Sequence, residues 1–299
     1  MSQAITEQLY RLMYLGPLRS FPARHLAFAK ETDPSWRSGG GSTWEVLAED
    51  SNVRGQVNDW LGHRHLSTNY RVEVLRYIAP EVEQPLISDE VAAMLKTLES
   101  GTAFETRPAE VGGGIRQIIK FQSFNVDEWA TRITRRLRTN CSADHIDDVV
   151  LRDLRTNTLV THRDVGIGVS QVLPVLVHAF GSQQKLLAIE QPEIHLHPSL
   201  QAELADVFIE SALGERKNTF LLETHSEHLI LRILRRVRET TAGTLPAGMP
   251  PVRPEDVSVV YVQPGPNGSE IIELPVTPDG DFGRPWPGGF FGERFQDLP

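Results

Sequence analysis

Two short apolar runs in the last third of the chain end abruptly in charged and polar residues. Residues 186–189 lead into Glu190 and Gln191, and residues 219–223 lead into a Thr-His-Ser sequence that contains His225. Unbroken apolar runs of this length are typical of strands buried in a parallel sheet, and ligands bind beyond the carboxyl ends of such strands. We therefore expect Glu190, Gln191 and His225 to meet at one edge of one sheet.

Helical spacing follows each of these runs. Apolar side chains recur every three or four residues in 199–212, just after Pro198, and again in 229–237. A third apolar run at 257–262 completes an alternation of strands and helices that predicts a parallel sheet with right-handed crossovers. The Pro-Gly-Pro-Asn-Gly sequence at 264–268 predicts a turn into a terminal antiparallel strand at 269–276, and the Pro- and Gly-rich residues 243–254 predict a surface connection.

The pattern is less regular in the first two thirds of the chain. Residues 149–154 and 159–161 predict a hairpin, and residues 171–180 predict a helix with Pro174 in its first turn. The remaining predicted elements are a strand near 13–15, helices near 43–61 and 88–99, and strands at 70–77 and 114–121.

Composition places the chain among globular proteins of a reducing compartment. Of its 299 residues, 40% are hydrophobic and 23% are charged, and Cys141 is the single cysteine. The first residues do not resemble a signal peptide, and no apolar run approaches the roughly 20 residues that span a bilayer. We expect a cytoplasmic protein without a membrane partner.

The formal net charge of −9 argues against attraction of nucleic acid to the whole surface, although local basic clusters exist. Their usual interpretation is the solvated face of an amphipathic helix. The two clusters are Arg132, Arg135, Arg136 and Arg138, and Arg232, Arg235, Arg236 and Arg238.

A family resemblance rests on four segments. The acidic strand end followed by Pro-Glu-Ile-His-Leu-His-Pro at 192–198, together with the Thr-His-Ser at 224–226, resembles the second half of an ABC-type ATPase head. The nearest patterns are the RecF/SMC-like and OLD-like AAA ATPases. The opening Tyr-Leu-Gly-Pro-Leu-Arg at 14–19 and the closing Trp-Pro-Gly-Gly-Phe-Phe at 286–291 resemble the subgroup that ends in the domain of unknown function DUF3696.

The resemblance implies an α/β fold: a P-loop NTPase (ABC ATPase-like) lobe with a parallel sheet core, a helical signature region and a terminal antiparallel strand. It also implies three segments. Residues 1–163 form the amino-terminal part of the lobe with a mixed α/β insertion, residues 164–262 form the ATPase core, and residues 263–299 form a carboxyl-terminal hairpin and tail.

The resemblance assigns roles in binding ATP and Mg²⁺. Glu190 matches the Walker B acid that holds magnesium through water, and magnesium prefers such oxygen ligands. Gln191 matches the position where many relatives carry the glutamate that orients the attacking water, and His225 matches the switch histidine that contacts the terminal phosphate.

A second nucleotide contact is implied just upstream. Residues 166–171, Gly-Ile-Gly-Val-Ser-Gln, resemble the signature loop that clasps the phosphate held by the opposite subunit. A helix start with exposed backbone amides binds anions. The implied contact residues are Gly166, Gly168, Ser170 and Gln171.

Two departures from the family pattern weaken the expectation that this chain binds and hydrolyses ATP by itself. Glutamine at position 191 cannot accept a proton as a carboxylate does, so either Glu193 is the alternative base or the protein hydrolyses ATP slowly and acts as a nucleotide-gated clamp. No G-x-x-x-x-G-K-[ST] occurs in the chain, and the glycines at 39–41 lack the lysine and the preceding strand, so we interpret residues 39–43 as a flexible loop. Without those charge-assisted hydrogen bonds, ATP affinity should fall on the order of a thousandfold.

Three functional hypotheses follow. The first is an ATPase head, a homodimer or a heteromer with a P-loop-containing chain, in DNA maintenance or phage defence with DNA or a nuclease as partner. The second is a catalytically inactive ATPase-like interaction module. The third is a metal-dependent hydrolase that uses Glu190, Glu193, His195 and His197, with His225 and His228 as further ligands.

Overall fold

The computed structural model describes residues 10–19, 38–62, 65–78, 88, 89, 91, 92, 104–111, 114–121, 131, 145–266 and 268–287. Its contacts divide the chain into two compact units, one formed by Met1–Val74 with Val149–Pro299 and the other by Leu75–Asp148. In chain order the strands are β1 (Leu12–Leu15), β2 (Tyr70–Ile78), β3 (Phe104–Val111), β4 (Gly114–Phe121), β5 (His145–Asp153), β6 (Thr158–Val160), β7 (Leu186–Glu190), β8 (Thr219–Glu223), β9 (Val260–Gly265) and β10 (Gly268–Glu273). The helices are α1 (Ser42–Glu49), α2 (Ser51–Leu61), α3 (Ile167–Gly181), α4 (Pro198–Leu213), α5 (Glu227–Ala242) and a short 3₁₀ turn, Pro254–Asp256.

The first unit is built on a parallel sheet of order β1-β7-β8. Strands β7 and β8 and helices α4 and α5 confirm the predicted alternation. The third parallel strand is β1, however, and the prediction that residues 257–262 join this sheet is wrong. Strand β9 begins at Val260 and pairs with β10, because a short turn closes this hairpin at a much lower entropic cost than a distant pairing. The predicted terminal antiparallel strand is β10.

Capping residues set the ends of α4 and α5, the helices that follow strands β7 and β8. His197 caps α4, accepting at Nδ1 from the Ser199 N–H, and Pro198 occupies the first turn. Ser226 caps α5 by accepting from the Leu229 N–H at 3.1 Å. At the other end of α5, Gly243 adopts φ +68, a left-handed conformation that glycine takes without strain. The predicted surface connection after α5 is confirmed by the lack of helix or strand between 243 and 253.

Helix α3 forms the centre of the core and packs with α1, α2 and α4. It begins at Ile167, four residues before the predicted start, so Pro174 lies inside the helix rather than in its first turn. The missing N–H of Pro174 leaves the carbonyl of Ser170 without its usual helical donor. The main-chain oxygen of Pro174 is 2.7 Å from His178 Nδ1, and burial lowers the pKa of that buried imidazole.

The glycines at 39–41 form a buried turn, so the prediction of a flexible loop is wrong. Gly40 has φ +74, and a β-carbon there would lie 2.9 Å from Pro174 Cβ. Ser42 and Thr43 already belong to α1. The predicted helix over 43–61 is interrupted at Asp50, whose carboxylate accepts from two N–H groups at the start of α2.

Two arginines of the second cluster, Arg232 and Arg236, are tied into largely buried ion pairs, which corrects the prediction of a solvated face for them, whereas the side chains of the other two are exposed as predicted. Asp206, on α4 and 3% exposed, accepts from both Arg232 and Arg236 on α5. Arg236 is itself only 6% exposed and also contacts Glu239. A pattern of arginines along one helix does not reveal the acids on the helix beside it.

The second unit contains the antiparallel hairpin of β3 and β4. This confirms the predicted strand at 114–121, whereas β3 was not predicted. Arg76 and Asp147 form an ion pair at 2.7 Å in this unit. Most of the predicted helix at 88–99, the cluster from Arg132 to Arg138, Cys141 and the end of the aromatic segment 286–291 lie outside the described residues.

The hairpin predicted at 149–161 is confirmed as β5 and β6, which belong to a sheet of order β2-β5-β6. The predicted segment boundaries after residues 163 and 262 do not coincide with a boundary between the two compact units and remain predictions. None of the helices in the described ranges combines the length and apolar character needed to cross a membrane.

Candidate functional site

The carboxyl end of the parallel sheet brings together the side chains that the sequence placed there. Glu190 and Glu223 are the last residues of β7 and β8 and lie opposite each other in register. The Gln191 N–H donates to the Glu223 carbonyl at 2.8 Å, which extends the pairing by one residue. His225 follows two residues after Glu223. The expectation that Glu190, Gln191 and His225 meet at one sheet edge is confirmed.

Glu190 is held from the neighbouring strand by a tyrosine. The hydroxyl of Tyr14 on β1 donates to Glu190 Oε1 at 2.8 Å. This hydrogen bond, followed by burial and the charge of Glu190, raises the pKa of Tyr14. The tyrosine therefore stays protonated and fixes one oxygen of the half-buried Glu190 carboxylate. A single fixed carboxylate of this kind fits a magnesium ion that keeps most of its waters.

Gln191 and His195 bend the chain after β7 into a tight turn. Both are non-glycine residues with positive φ, +43 and +62. This conformation is uncommon for such residues and costs on the order of 1 kcal/mol each. Main-chain hydrogen bonds within the turn, from Ile194 N to Gln191 O and from Leu196 N to Glu193 O, hold it in place.

Glu193 joins this turn to the segment that carries His225. Its carboxylate is 8% exposed, and Oε1 accepts from the main-chain N–H of His225 at 2.7 Å. Within the described part of the chain nothing donates to Oε2. The imidazole of His225 is 73% exposed, with Nε2 3.3 Å from Glu223 Oε1. The His225 backbone is therefore fixed by a buried acid, while its side chain faces solvent.

The four residues of the predicted signature loop divide into two pairs. Gly166 caps α3 and is exposed. Gly168 is half-buried and packs closely on the turn after β7, since a β-carbon there would lie 2.7 Å from the His195 carbonyl oxygen. Ser170 is buried and donates to the His162 carbonyl at 2.7 Å. Gln171 is buried and donates to the Arg19 carbonyl at 3.5 Å. The loop touches the turn after β7, and only its glycine end faces solvent.

Arg19 is the site residue that sequence reasoning missed. It is 5% exposed and donates to three main-chain carbonyls: Gln171 in the first turns of α3, at 2.8 Å, and Glu190 and Gln191, at 3.2 and 3.0 Å. Burial lowers its pKa to about 10, and the charge of Glu193 opposes that shift. One guanidinium therefore fastens α3 to the turn after β7. Its signals in the sequence were a charge four residues beyond a short strand and its place at the end of the family-like segment 14–19, and neither indicated its partners.

Two residues of the metal-hydrolase hypothesis, His197 and Glu193, already form hydrogen bonds with other groups of the chain. His197 Nδ1 lies 2.9 Å from the Ser199 hydroxyl at the start of α4, and Glu193 is directed at the His225 N–H. Across the described ranges, no group of three or more histidine, cysteine or acidic residues is arranged to hold a metal ion. The hypothesis has no ligand set among these residues.

Comparison with known proteins gives one match. Residues 81–230 match the family model described as the AAA ATPase domain, which is half of the chain. The matched region includes the signature-like loop, Glu190, Glu193 and His225, but not Tyr14 or Arg19. No curated protein and no solved structure matches the chain.

Proposed function

Because the chain belongs to the AAA ATPase domain family, we propose that it is an ATP-binding and ATP-hydrolysing head of the ABC type. In this proposal it contributes the Walker B, signature and switch elements, and it is similar to the RecF/SMC-like and OLD-like ATPases with a DUF3696 end. The observation that carries the proposal is the edge where Glu190, Gln191 and His225 converge at the ends of adjacent parallel strands.

Glu190 is the proposed magnesium ligand, acting through water. Its carboxylate ends a strand, is oriented by the Tyr14 hydroxyl and lies beside a second acid, Glu223. Bound Mg²⁺ would neutralise charge on the phosphates, while the protein's part is to position and to stabilise. His225, with an exposed ring on a fixed backbone, is the proposed contact to the terminal phosphate.

In this proposal Gln191 orients the attacking water and Glu193 is the base that deprotonates it. An amide can accept a hydrogen bond from water but cannot take its proton. Glu193 Oε2 is buried without a donor among the described residues, so it keeps an acceptor site for such a water. This arrangement favours slow hydrolysis.

The signature role falls on the glycine end of α3. Gly166 and the first helical amides lie at the surface, where backbone N–H groups can meet a phosphate of an opposite subunit. Ser170 already donates to the His162 carbonyl, so its proposed phosphate contact requires a change of rotamer. The proposal therefore includes a second head, either a copy of this chain or a P-loop-containing chain.

The phosphate-binding loop must come from outside these residues, since the 299 residues contain no G-x-x-x-x-G-K-[ST]. DNA maintenance and phage defence, with DNA or a nuclease as partner, are the proposed settings and follow from the resemblance alone. The second candidate function is an inactive ATPase-like interaction module, which the absence of this motif and the glutamine at position 191 favour.

The direct test is equilibrium binding of a fluorescent ATP analogue with Mg²⁺. We expect the chain alone to bind roughly a thousandfold more weakly than a complete head, and a P-loop polypeptide to restore affinity. Glu190→Ala should weaken the restored binding, and the exposed remote acid Glu255 serves as the matched control, as Glu255→Ala. Micromolar binding by the chain alone, blocked by Glu190→Ala, would show a different phosphate cradle.

Hydrolysis by the completed assembly separates an ATPase from an inactive module. Glu190→Gln should abolish turnover because the magnesium ligand loses its charge. Gln191→Glu should raise turnover or leave it unchanged, since it adds a base at the same position. A large loss from Gln191→Glu contradicts the role of position 191, and undetectable turnover in both the native chain and Gln191→Glu favours the inactive module.

A further inference from the structure

A groove lies at the end of the parallel sheet that is opposite the candidate site. Two cavities, of about 530 and 830 Å³, share Gln56 of α2, His65 and Glu210 of α4 as lining residues, and we call them together the α2–α4 groove. Its position follows from Arg216, which lines the larger cavity and whose carbonyl accepts from the N–H of Gln184, just before β7. The groove therefore adjoins the amino ends of the strands, whereas the candidate site lies at their carboxyl ends.

Acids recur along the side of α4 that lines this groove, and arginines of α5 match the first two. Glu203 accepts from Arg232 at 2.9 Å. Asp206 accepts from Arg232 at 2.7 Å and from Arg236 at 2.8 and 2.7 Å. Glu210 lies on the same side, one helical turn beyond Asp206. No lysine or arginine among the described residues forms an ion pair with Glu210, so the series of ion pairs stops before the last acid.

Helix α5 offers no cation at its next turn. One turn beyond Arg236 comes Thr240, whose hydroxyl donates to the Arg236 carbonyl at 2.8 Å and accepts from the Val252 N–H at 3.0 Å. Residues 246–250, which line the larger cavity after α5 has ended, read Pro-Ala-Gly-Met-Pro and carry no charge. The wall of the groove beyond Arg236 is therefore neutral and partly apolar.

Glu210 is half-buried beside a column of three rings. Trp60, which is 3% exposed, stacks on His65 with ring centroids 4.0 Å apart and on Phe180 at 5.9 Å. Burial raises the pKa of Glu210, whereas the charge of His65 and the indole N–H of Trp60 oppose that shift. A carboxylate in such surroundings is stabilised in its ionised form when a cation comes within reach.

The groove carries more unpaired acid than unpaired base. Asp59 and Glu215 also line it, and like Glu210 they form no ion pair with a lysine or arginine in the described part of the chain. Arg216 is the lining arginine without an acid, and it donates to the side-chain oxygen of Gln56 at 2.7 Å. Three carboxylates against one such arginine favour a cationic ligand.

We infer that the α2–α4 groove binds an arginine side chain of a partner polypeptide, whose guanidinium pairs with Glu210. A guanidinium suits this position because the two preceding acids of α4 already bind guanidinium groups. Such a planar cation can also stack on the ring of His65 while it donates to a carboxylate. The larger cavity, with Met249 and two prolines in its wall, has room for the segment that carries the arginine. No described residue of the candidate site lines the groove, so the inference is independent of the proposed function.

The test follows the indole N–H signal of Trp60 by NMR while a ligand is added to the full chain, and Trp60→Phe assigns that signal. The probe is N-acetyl-arginine-N-methylamide, which carries the side chain and its two flanking peptide groups. We expect a saturable shift with a millimolar dissociation constant, about tenfold weaker binding of the lysine analogue, and no binding of the uncharged citrulline analogue. The absence of a saturable shift overturns the site, and equal affinity for the arginine and lysine analogues overturns the assignment to a guanidinium.

Matched variants test the role of Glu210. Glu210→Gln keeps the size of the side chain and should weaken binding of the arginine probe by about tenfold or more, because charge-assisted hydrogen bonds are lost. Glu255→Gln removes a remote acid that is 69% exposed and should leave the affinity unchanged. Equal weakening by both variants shows a general attraction to the acidic surface and overturns the site. The lysine and citrulline analogues give the same test on the native chain if circular dichroism shows that Glu210→Gln does not fold.

Two further comparisons identify the source of the guanidinium. Capped nine-residue peptides with a central arginine and varied neighbours should include sequences that bind at least about tenfold more tightly than agmatine, a free guanidinium compound, because the groove extends beyond Glu210. Agmatine that binds as tightly as the best peptide overturns the partner polypeptide in favour of a small molecule. Arg64 lies outside the described residues, next to His65 in sequence, and Arg64→Gln should leave binding unchanged. Binding that appears only in Arg64→Gln makes Arg64 the cation of this groove and overturns an outside ligand.

Discussion

Two arginines of this protein are almost equally buried, yet their surroundings are opposite. Arg236, on α5, faces carboxylates: Asp206 accepts from its Nε and Nη2 at 2.8 and 2.7 Å, and Glu239 lies beside it. Arg19, after β1, donates instead to three neutral carbonyls. The hydrogen bonds that Arg236 donates to Asp206 hold the pKa of Arg236 above its ordinary value, whereas burial lowers the pKa of Arg19 to about 10.

The difference separates an arginine that joins two helices from one that shapes a site. A buried charge is costly unless it is paired, and Arg236 is paired within the α4–α5 contact. Arg19 has the charge of Glu193 nearby, but its hydrogen bonds go to the backbone of the turn after β7 and of α3. We infer that Arg19 is a positioning residue for the turn that carries Gln191.

The largest effect is expected at Asp206. Asp206→Ala leaves Arg232 and Arg236 buried without their shared partner, so the free energy of unfolding should fall by about 3–5 kcal/mol. Urea unfolding followed by circular dichroism measures this. Glu203→Ala is the control, because Glu203 contacts Arg232 from a more exposed position and should cost about 1 kcal/mol or less. Equal losses from both variants would contradict the account of this network.

A smaller loss of stability is expected at Arg19, together with a loss of function. Arg19→Met removes three hydrogen bonds but also removes a costly buried charge, so the free energy of unfolding should fall by about 2 kcal/mol. Because the turn loses its anchor, ATP turnover by the completed assembly should fall by about tenfold or more.

The matched variant for this prediction is Arg236→Met. It should lose more stability than Arg19→Met and should keep its turnover number under conditions where it is folded. If Arg19→Met changes stability alone, Arg19 is a structural residue and the distinction between the two arginines fails.

Lowering the pH should reduce the stability that the α4–α5 ion pairs contribute, but not the stability that Arg19 contributes. Burial disfavours the ionised form of Glu239, but hydrogen bonds from Arg236 and Arg235 outweigh it and hold the pKa of Glu239 below its ordinary 4.5. Its ionised form therefore stabilises the fold above that value, and this contribution is lost as the pH falls through the lower folded-state pKa. Urea titrations at several acidic pH values should show a shallower loss for Glu239→Gln than for the native chain.

Arg19 should contribute nothing to this acid dependence. Burial lowers its folded-state pKa to about 10, below the unfolded-state value, so the unfolded chain binds more protons than the folded chain only at alkaline pH, above about 10. Stability from this group therefore rises with pH in that alkaline window. An altered acid profile for Arg19→Met would show that Arg19 is coupled to a carboxylate more strongly than the geometry indicates.

The smallest effect is expected at Arg235. This arginine is 61% exposed and pairs with Glu239 one turn along α5. Arg235→Ala should lower the free energy of unfolding by about 0.5 kcal/mol or less, and added salt should reduce the difference further. A loss of stability comparable to that of Asp206→Ala would show that Arg235, at the surface of α5, belongs to the same ion-pair network as Asp206.

The sequence was sufficient to predict those strands and helices that are specified by the pattern of their own residues. The runs before Glu190 and His225 predicted β7 and β8, and regular spacing predicted α4 and α5. Their ends follow from caps at His197 and Ser226. Because parallel strands end at a common edge, the meeting of Glu190, Gln191 and His225 followed as well.

Features that depend on distant partners were not predictable in the same way. Nothing in the short run at 12–15 indicates that it pairs with β7. Nothing near Val260 indicates that, within the described part of the chain, β9 pairs with β10 alone. The burial of Arg19 and Arg236 depends on carbonyls and acids from other elements. Long-range pairing of this kind is decided by the whole core rather than by the segment.

The turn at Gly40 has a consequence for the order in which the molecule folds. Its glycine is enclosed by Pro174 of α3 and Leu15 of β1, which are far apart in sequence. The turn can therefore close only after those two elements have met, and contacts of such separation form late because their loop entropy must first be overcome. In a saturation library, we expect position 40 to accept glycine alone, and its substitutions to speed unfolding more than they slow folding.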